Sequence, residues 1–178
     1  MTSFMPPADR IWWKVPVGRQ EILWIAIALV WCLIMFFMMP YWHIYGKQNL
    51  SNEAYQTTPA KFGAKVQAMV DQYKVGEEAG IPIVKPPAGS DIYLLGRLWQ
   101  WYPILDLEKD KTYRLHLSSM DWQHGFSVQP VNINIQVVPG YEMVITMTPD
   151  SAGEYGIVCN EYCGIGHHMM VGKIYVKE

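Results

Sequence analysis

The residues with the most distinctive chemistry lie in one short run near the C-terminus. The twelve residues from Cys159 to Met170, CNEYCGIGHHMM, hold two cysteines, two histidines and two methionines. The only other cysteine, Cys32, lies in an apolar stretch near the N-terminus. Thiolate, thioether and imidazole ligands together favour copper or zinc over hard cations. The run therefore predicts a site for a soft metal ion.

Several kinds of site compete for these residues once His124, in the upstream run SMDWQHGFSV, is added. A closed tetrahedral zinc site would use Cys159, Cys163, His124 and His167, and would leave Met170 without a role. A disulfide between the cysteines suits a location outside the cytoplasm and explains neither histidine. A mononuclear blue-copper site needs one cysteine rather than two. Two thiolates bridging two copper ions, with one imidazole on each ion, would use every one of these residues.

The same run carries a resemblance to a known family. CNEYCGIGHHMM matches the pattern C-x-E-x-C-G-x-x-H-x-x-M, and in this it resembles subunit II of the haem-copper cytochrome c oxidases, which carries the dinuclear copper centre CuA. QHGFSV and NINIQVVPGYE are similar to the same family. The resemblance covers roughly residues 91–178, and a single N-terminal helix is similar to the B-type members. It implies a cupredoxin-like fold.

The resemblance implies a role for each ligand. Cys159 and Cys163 would bridge the two copper ions, and His124 and His167 would each bind one of them. One weak axial ligand would be the Met170 thioether, and the other the backbone carbonyl of a glutamate in the cysteine loop. The predicted metal set is therefore His124, Cys159, Glu161, Cys163, His167 and Met170.

The doubled histidine and the doubled methionine each require a choice. The register of the family pattern selects His167 and Met170 as ligands. His168 and Met169 are then expected to face away from the metal, towards a partner surface.

The family resemblance also implies partners. Electrons would come from a c-type cytochrome or a similar small carrier. They would pass to haem in a multi-helix catalytic subunit, subunit I, which reduces O2 to water. Aromatic residues beside the copper centre would form the place where the donor docks, although packing alone would equally explain the tryptophans. The residues predicted there are Trp99, Trp101, Tyr102 and Trp122.

Other functions stay open at this point. The same copper role in a haem-copper nitric oxide reductase would use an identical site, and a membrane-anchored copper storage or chaperone protein would use the same ligands for exchangeable copper. Nitrous oxide reductase also uses CuA, but it requires a large additional catalytic domain. We expect no catalytic residue on this chain, because the sequence offers no nucleophile and no paired acid and base.

Composition and hydropathy indicate a membrane anchor. Only 17% of the 178 residues are charged, against about 25% in an average soluble protein. Residues 22–42, ILWIAIALVWCLIMFFMMPYW, are 21 residues without a charge, enough to span a bilayer. The run is too long for the apolar core of a signal peptide. Arg10, Lys14 and Arg19 precede it and Lys47 follows, which predicts a cytoplasmic N-terminus and a copper domain on the outer face of a bacterial or archaeal cell membrane.

The rest of the chain is predicted to form four segments. These are a cytoplasmic segment (1–20), a transmembrane helix (21–45), a linker with a short helix from Pro59 to about Tyr73 (46–90) and an all-β domain (91–178). In the last, YRLHLSSM, NINIQVVPG and GKIYVKE alternate apolar and polar residues, and turn signals separate them. Such short strands indicate an antiparallel Greek-key β-sandwich.

Two further residues and the net charge complete the predictions. Glu21, at the start of the membrane helix, would favour the helix N-terminus, and the resemblance to B-type oxidases adds a possible place at the mouth of a proton-uptake path. His116 is expected on the outer face of a strand. A net charge of −2 provides no basic footprint for nucleic acid.

Overall fold

The computed structural model describes residues 16–46 and 53–178. The chain divides into two compact units, Met1–Gln48 and Asn49–Glu178. The first contains one long helix and the second contains all of the β-structure.

The N-terminal unit is the helix α1 (Arg19–Tyr45), 27 residues long. At 1.5 Å per residue its length is about 40 Å, which exceeds the roughly 30 Å core of a bilayer. None of its side chains is buried, and its length and composition are those of a candidate membrane span. In its first turn, Glu21 accepts a hydrogen bond from the Gly18 amide at 3.4 Å, so a role at the helix N-terminus accounts for this residue. Its place in a proton path stays a prediction.

The predicted orientation of this helix in the membrane also stays a prediction. Of the basic residues on which it rests, only Arg19 belongs to the described part of the chain, where it is the first residue of α1. Arg10, Lys14 and Lys47 lie outside the described residues.

The second unit is a β-sandwich with one helix. Its elements in chain order are β1 (Glu53–Gln56), α2 (Pro59–Tyr73), β2 (Lys74–Glu78), β3 (Ile81–Val84), β4 (Asp91–Arg97), β5 (Gln100–Tyr102), β6 (Ile104–Glu108), β7 (Tyr113–Ser119), β8 (His124–Gln129), β9 (Ile133–Val137), β10 (Tyr141–Met147), β11 (Gly153–Cys159) and β12 (Val171–Lys177). One sheet has the order β1-β10-β7-β4-β5, and the other β2-β3-β6-β12-β11-β8-β9.

The core lies where the alternation of apolar residues placed it. Tyr113, Leu115 and Leu117 of β7 are fully buried, and Ile174 and Val176 of β12 are nearly so. Successive side chains of a strand point to opposite faces, so one apolar residue in two is enough to cover a sheet. The predicted two-sheet sandwich is confirmed. The strand pairing is mixed rather than antiparallel throughout, because β4 pairs in parallel with β7, and β6 pairs in parallel with β3 and β12.

The structure corrects the predicted linker over residues 46–90. Most of it belongs to the sandwich: β1 pairs with β10, and β3 pairs with β6. The predicted short helix is present as α2, which starts at Pro59 after a Thr58 cap whose hydroxyl accepts the Lys61 amide at 3.3 Å. Phe62 and Val66 on this helix are buried. Strands as short as β1 and β3 lack a clear alternation, and backbone pairing at sheet edges holds them.

His116 also departs from the prediction. It lies on β7 with 6% of its surface exposed, not on an open outer face. Its Nδ1 is 2.6 Å from Glu142, whose carboxylate also binds Lys65 at 2.8 Å. The face of the sheet that carries His116 is covered because α2 packs on β4 there, with Phe62 against Tyr93. A buried polar side chain needs such partners, and the sequence did not reveal them.

The packing of α2 gives the first prediction. Replacing Phe62 with Ala in the full-length chain in detergent should lower the free energy of unfolding of the β-domain by about 3–5 kcal/mol, because the side chain is fully buried. Gln72→Ala on the exposed side of the same helix is the matched control, with a change within about 0.5 kcal/mol. Urea unfolding followed by tryptophan fluorescence measures both. Equal, small effects would mean that residues 59–73 are a linker after all.

Candidate metal centre

The C-terminal run forms a closed loop between two paired strands. The last register pair of β11 and β12 is Val158 with Val171, so the loop leaves and re-enters the sheet at the same place. The Cys159 amide then donates a hydrogen bond to the Met170 carbonyl at 3.1 Å. Residues 167–169 form a single 3-10 turn inside the loop. This closure confines all of the C-terminal candidate ligands to one end of the sandwich.

His124 reaches the same end because β8 is the neighbour of β11. In that pairing Cys159 is opposite Phe126, two residues after His124, which is the first residue of β8. The Asn160 amide also donates to the Gly125 carbonyl at 3.3 Å. A side chain at Gly125 would collide with Asn160, since a Cβ there would lie 1.9 Å from its amide oxygen. The absence of a side chain at this position lets the cysteine loop pack directly on β8.

The predicted ligand atoms converge around the two cysteine sulfurs, which lie 3.7 Å apart. The Cys159 sulfur is 3.9 Å from Nδ1 of His124 and 3.2 Å from the Glu161 carbonyl oxygen. The Cys163 sulfur is 3.7 Å from Nδ1 of His167 and 3.7 Å from the Met170 sulfur. All six predicted metal-site residues therefore meet in one place.

Most of these donors are shielded from water. His124 is fully buried, and Cys159, Cys163 and Met170 expose at most 4% of their surface. His167 is half-buried. Burial, followed by the hydrogen bond to the neighbouring Cys159, raises the pKa of the Cys163 thiol from 9.0 to about 11. A metal ion that binds as thiolate must therefore displace a proton from Cys163 at neutral pH.

Two residues hold the imidazole of His124 in place. Asp121 lies 2.8 Å from its Nε2, and Trp101 packs edge-on against its ring with centroids 6.0 Å apart. Burial acts to raise the pKa of Asp121, but hydrogen bonds from the Trp122 amide, His124 and the Leu98 amide outweigh it, so the pKa is lowered. Asp121 is therefore a carboxylate at neutral pH. Neither Asp121 nor its contact with His124 was predicted, although its position three residues before the histidine is visible in the sequence.

The predicted docking aromatics separate into two groups. Trp99 and Trp122 are exposed at the metal end, at 37% and 63%. The Trp99 indole donates to the Cys163 carbonyl at 3.2 Å, and its ring lies flat on Gly166, where a Cβ would be 2.2 Å from the indole. Trp101 is 1% exposed and so belongs to the core rather than to a docking surface. Tyr102 contacts Gln67 of α2 and the Arg97 guanidinium rather than any ligand.

Further exposed apolar side chains surround the ligand loop, and the sequence reasoning missed most of them. We call the following set the apolar rim: Trp99, Trp122, Tyr162, Ile165 and Met169, the last three of which expose 63–86% of their surface. Tyr162 and Ile165 flank Cys163 and Gly164 in the sequence, and a residue beside an inward-pointing ligand in a tight loop often points outward. That alternation was the available signal. His168 and Met169 are exposed, as expected from the family register.

The donor set fits copper by its chemistry. Two thiols, two imidazole nitrogens and a thioether are soft or borderline ligands, and no carboxylate oxygen lies among them. His124, Cys159 and Cys163 alone place three ligand atoms within 4.8 Å of one another. The arrangement can hold soft metal ions in a dry, preformed pocket and has no group placed to activate a substrate.

The similarity to known sequences lies in the domain that holds this site. The family model for the periplasmic domain of cytochrome c oxidase subunit II matches residues 96–177. Cytochrome c oxidase subunit 2 of Thermus thermophilus is 48% identical over 93 residues, which cover 52% of this chain and 69% of that protein. A second subunit 2, from another strain of Thermus thermophilus, is also 48% identical over 93 residues, covering 55% of its length.

Solved structures share the fold. A chain of a heme-copper terminal oxidase dimer, determined by cryo-electron microscopy, aligns over 89% of this chain and all of its own length with a TM-score of 0.58 at 23% identity. The His143Met variant of rusticyanin aligns over 72% of this chain and all of its own length with a TM-score of 0.52 at 18% identity. At these identities the likeness concerns the fold alone, which is that of the cupredoxins.

The raised thiol pKa gives a prediction for the metal-free protein. Alkylation of Cys163 by iodoacetamide, followed by mass spectrometry as pH rises, should show a midpoint near 11, while the same residue in urea should titrate near 9. Because the unfolded thiol loses its proton first, the stability of the metal-free domain should also fall as pH rises from about 9 to 11. A folded-state midpoint at or below 9 would show that the pocket does not hold a protonated thiol.

Proposed function

Because this chain belongs to the subunit II family of cytochrome c oxidases, we propose that it is the electron-accepting subunit of a haem-copper oxidase, with two copper ions in a CuA centre. One observation carries the proposal. The two cysteine sulfurs lie side by side, and each has its own imidazole nitrogen within 3.9 Å.

The separation of the histidines supports two ions rather than one. His124 and the Glu161 carbonyl lie on the side of Cys159, while His167 and Met170 lie on the side of Cys163. His167 does not join the tight group formed by His124 and the cysteines. A single tetrahedral ion would require both histidines in that group. Two ions bridged by the sulfurs would use each set without moving the chain.

When bound, the copper pair would take up one electron and share it between two sulfur-bridged ions. The chain's own part is to keep the ligands still and dry. The loop is closed by the hydrogen bond between Cys159 and Met170, and Trp99 and Asp121 brace its two sides. A rigid ligand frame allows little movement when the charge changes. Hydrogen bonds and burial around the sulfurs are the means by which a protein tunes such a site.

The apolar rim is the proposed contact surface for the electron donor, a c-type cytochrome or a similar small carrier. Trp99 is at once exposed to a partner and hydrogen-bonded to the carbonyl of a proposed copper ligand. Residues 47–178 carry 11 basic and 14 acidic side chains, too even a balance for strong long-range steering. Docking is therefore through apolar contact with only a weak electrostatic contribution.

The remaining partners are proposed from the family. The acceptor is haem in a multi-helix catalytic subunit that reduces O2, and α1 anchors this chain in the cell membrane beside it. The N-terminus is cytoplasmic in this proposal, and the copper domain lies on the outer face.

The copper centre itself gives the decisive test. The full-length chain, loaded with copper and oxidised, should give an electron paramagnetic resonance spectrum in which one unpaired electron is shared equally by two copper nuclei. Cys159→Ser should abolish this pattern, because a bridging sulfur is lost. Cys32→Ser, in α1, is the matched control and should leave it intact. A single-copper spectrum, or tightly held zinc with a silent spectrum, would overturn the proposal.

Donor docking gives a separate prediction. The rate of electron transfer from a reduced c-type cytochrome to the copper-loaded chain, measured by stopped flow, should change less than about threefold between 50 and 200 mM salt. Trp122→Ala should slow transfer about tenfold at low donor concentration and leave the copper spectrum unchanged. Tyr55→Ala, which removes an exposed aromatic ring on β1, is the control. A steep salt dependence would contradict apolar docking.

A further inference from the structure

Asp121 joins three parts of the metal end of the sandwich. One carboxylate oxygen lies 2.8 Å from Nε2 of His124 and accepts the Trp122 amide at 2.6 Å. The other oxygen accepts the Leu98 amide at 2.7 Å. The Ser119 hydroxyl is also near the first oxygen, at 3.5 Å. The side chain keeps 24% of its surface exposed, while the histidine it contacts has none.

The contact with Asp121 decides which nitrogen of His124 carries the proton. A carboxylate can only accept, so the hydrogen on the imidazole must be on Nε2. Nδ1 then presents its lone pair, and Nδ1 is the atom that faces the Cys159 sulfur at 3.9 Å. A metal ligand of this kind is oriented and made more basic by the acceptor on its other nitrogen.

The ring of His124 has little freedom to find another partner. Trp101 packs edge-on against it, and on another side a Cβ placed at Gly96 would lie 3.0 Å from its Cδ2. The plane of the imidazole is therefore set by packing, and its tautomer by Asp121.

The second histidine of the site is held differently. Within residues 16–46 and 53–178, no carboxylate forms an ion pair with His167, whose ring contacts are with Cys163 and with Tyr162. His167 is also half-buried, whereas His124 is fully buried. The two imidazoles thus differ in both support and solvent access.

We propose that Asp121 is a positioning residue for His124, which keeps the proton on Nε2 and directs Nδ1 at the metal, and that it makes the His124 side the more firmly held half of the centre. The part that concerns metal rests on the proposed function. The part that concerns the tautomer rests on this chain's own contacts.

The first readout needs no metal. In the full-length, metal-free chain labelled with 15N at histidine, the ring nitrogens of His124 should show the Nε2–H tautomer in long-range 15N–1H spectra. Asp121→Ala should give a mixture of tautomers. Asp121→Asn retains an oxygen for the Leu98 amide and for the imidazole N–H, so it should fold and keep most of the Nε2–H form. An Nδ1–H tautomer in the wild-type chain would overturn the proposal.

The second readout is copper retention. In a challenge with a copper chelator, Asp121→Ala should lose copper about 10–100 times faster than the wild type, the usual effect of removing such a partner, and Asp121→Asn should lie between them. Asp150→Asn, at an exposed turn where the carboxylate contacts only Ser151 among the described side chains, should retain copper like the wild type. Retention unchanged in Asp121→Ala, with an unchanged tautomer, would assign Asp121 to loop structure alone.

The two readouts separate this proposal from the proposed function. If the chain fails to form a two-copper centre, the proposed function is overturned, and the tautomer of His124 still decides whether Asp121 positions it.

Discussion

One backbone hydrogen bond, from the Cys159 amide to the Met170 carbonyl, is the constraint on which the rest of the site depends. It closes a loop that contains every C-terminal candidate ligand, and it does so where β11 and β12 are already paired. Ordering a flexible loop costs conformational entropy for each residue that it fixes. Here the sheet fixes both ends before any metal arrives, so the thiols are held side by side by the fold itself. The sandwich is therefore the part of the molecule that makes a rigid metal pocket possible.

The surroundings of the pocket divide into a dry side and an exposed side. On the dry side Trp101 is buried against His124, and the core continues behind it through Phe126. On the exposed side Trp99 covers the loop and hydrogen-bonds to the Cys163 carbonyl while more than a third of its surface faces solvent. A site that only exchanges electrons needs this combination. Burial limits movement of the ligands and access of water, and a thin aromatic cover brings a partner close without opening the pocket.

The remainder of the domain shows how much of a small sandwich can come from segments that look like connectors. α2 and the short strands on either side of it contribute Phe62 and Val66 to the core and extend both sheets. The charged group formed by His116, Glu142 and Lys65 lies under this cover. Its members satisfy one another, which allows polar side chains to be buried beside an apolar core. These features stabilise the frame and lie on elements that carry none of the candidate ligands.

The sequence by itself determined the apolar helix, the alternating strands of the sandwich and the identity of the ligands, because each depends on residue type and local spacing. Cys159, Cys163 and His167 are close in the chain, and their soft donors indicated copper or zinc before any fold was known. Only the tertiary structure decided that residues 53–84 join the sheets, that Trp101 is buried, and that Asp121 supports His124. Those outcomes depend on which strands become neighbours. Pairing between distant strands is set by the packing of the whole core, and no local pattern records it.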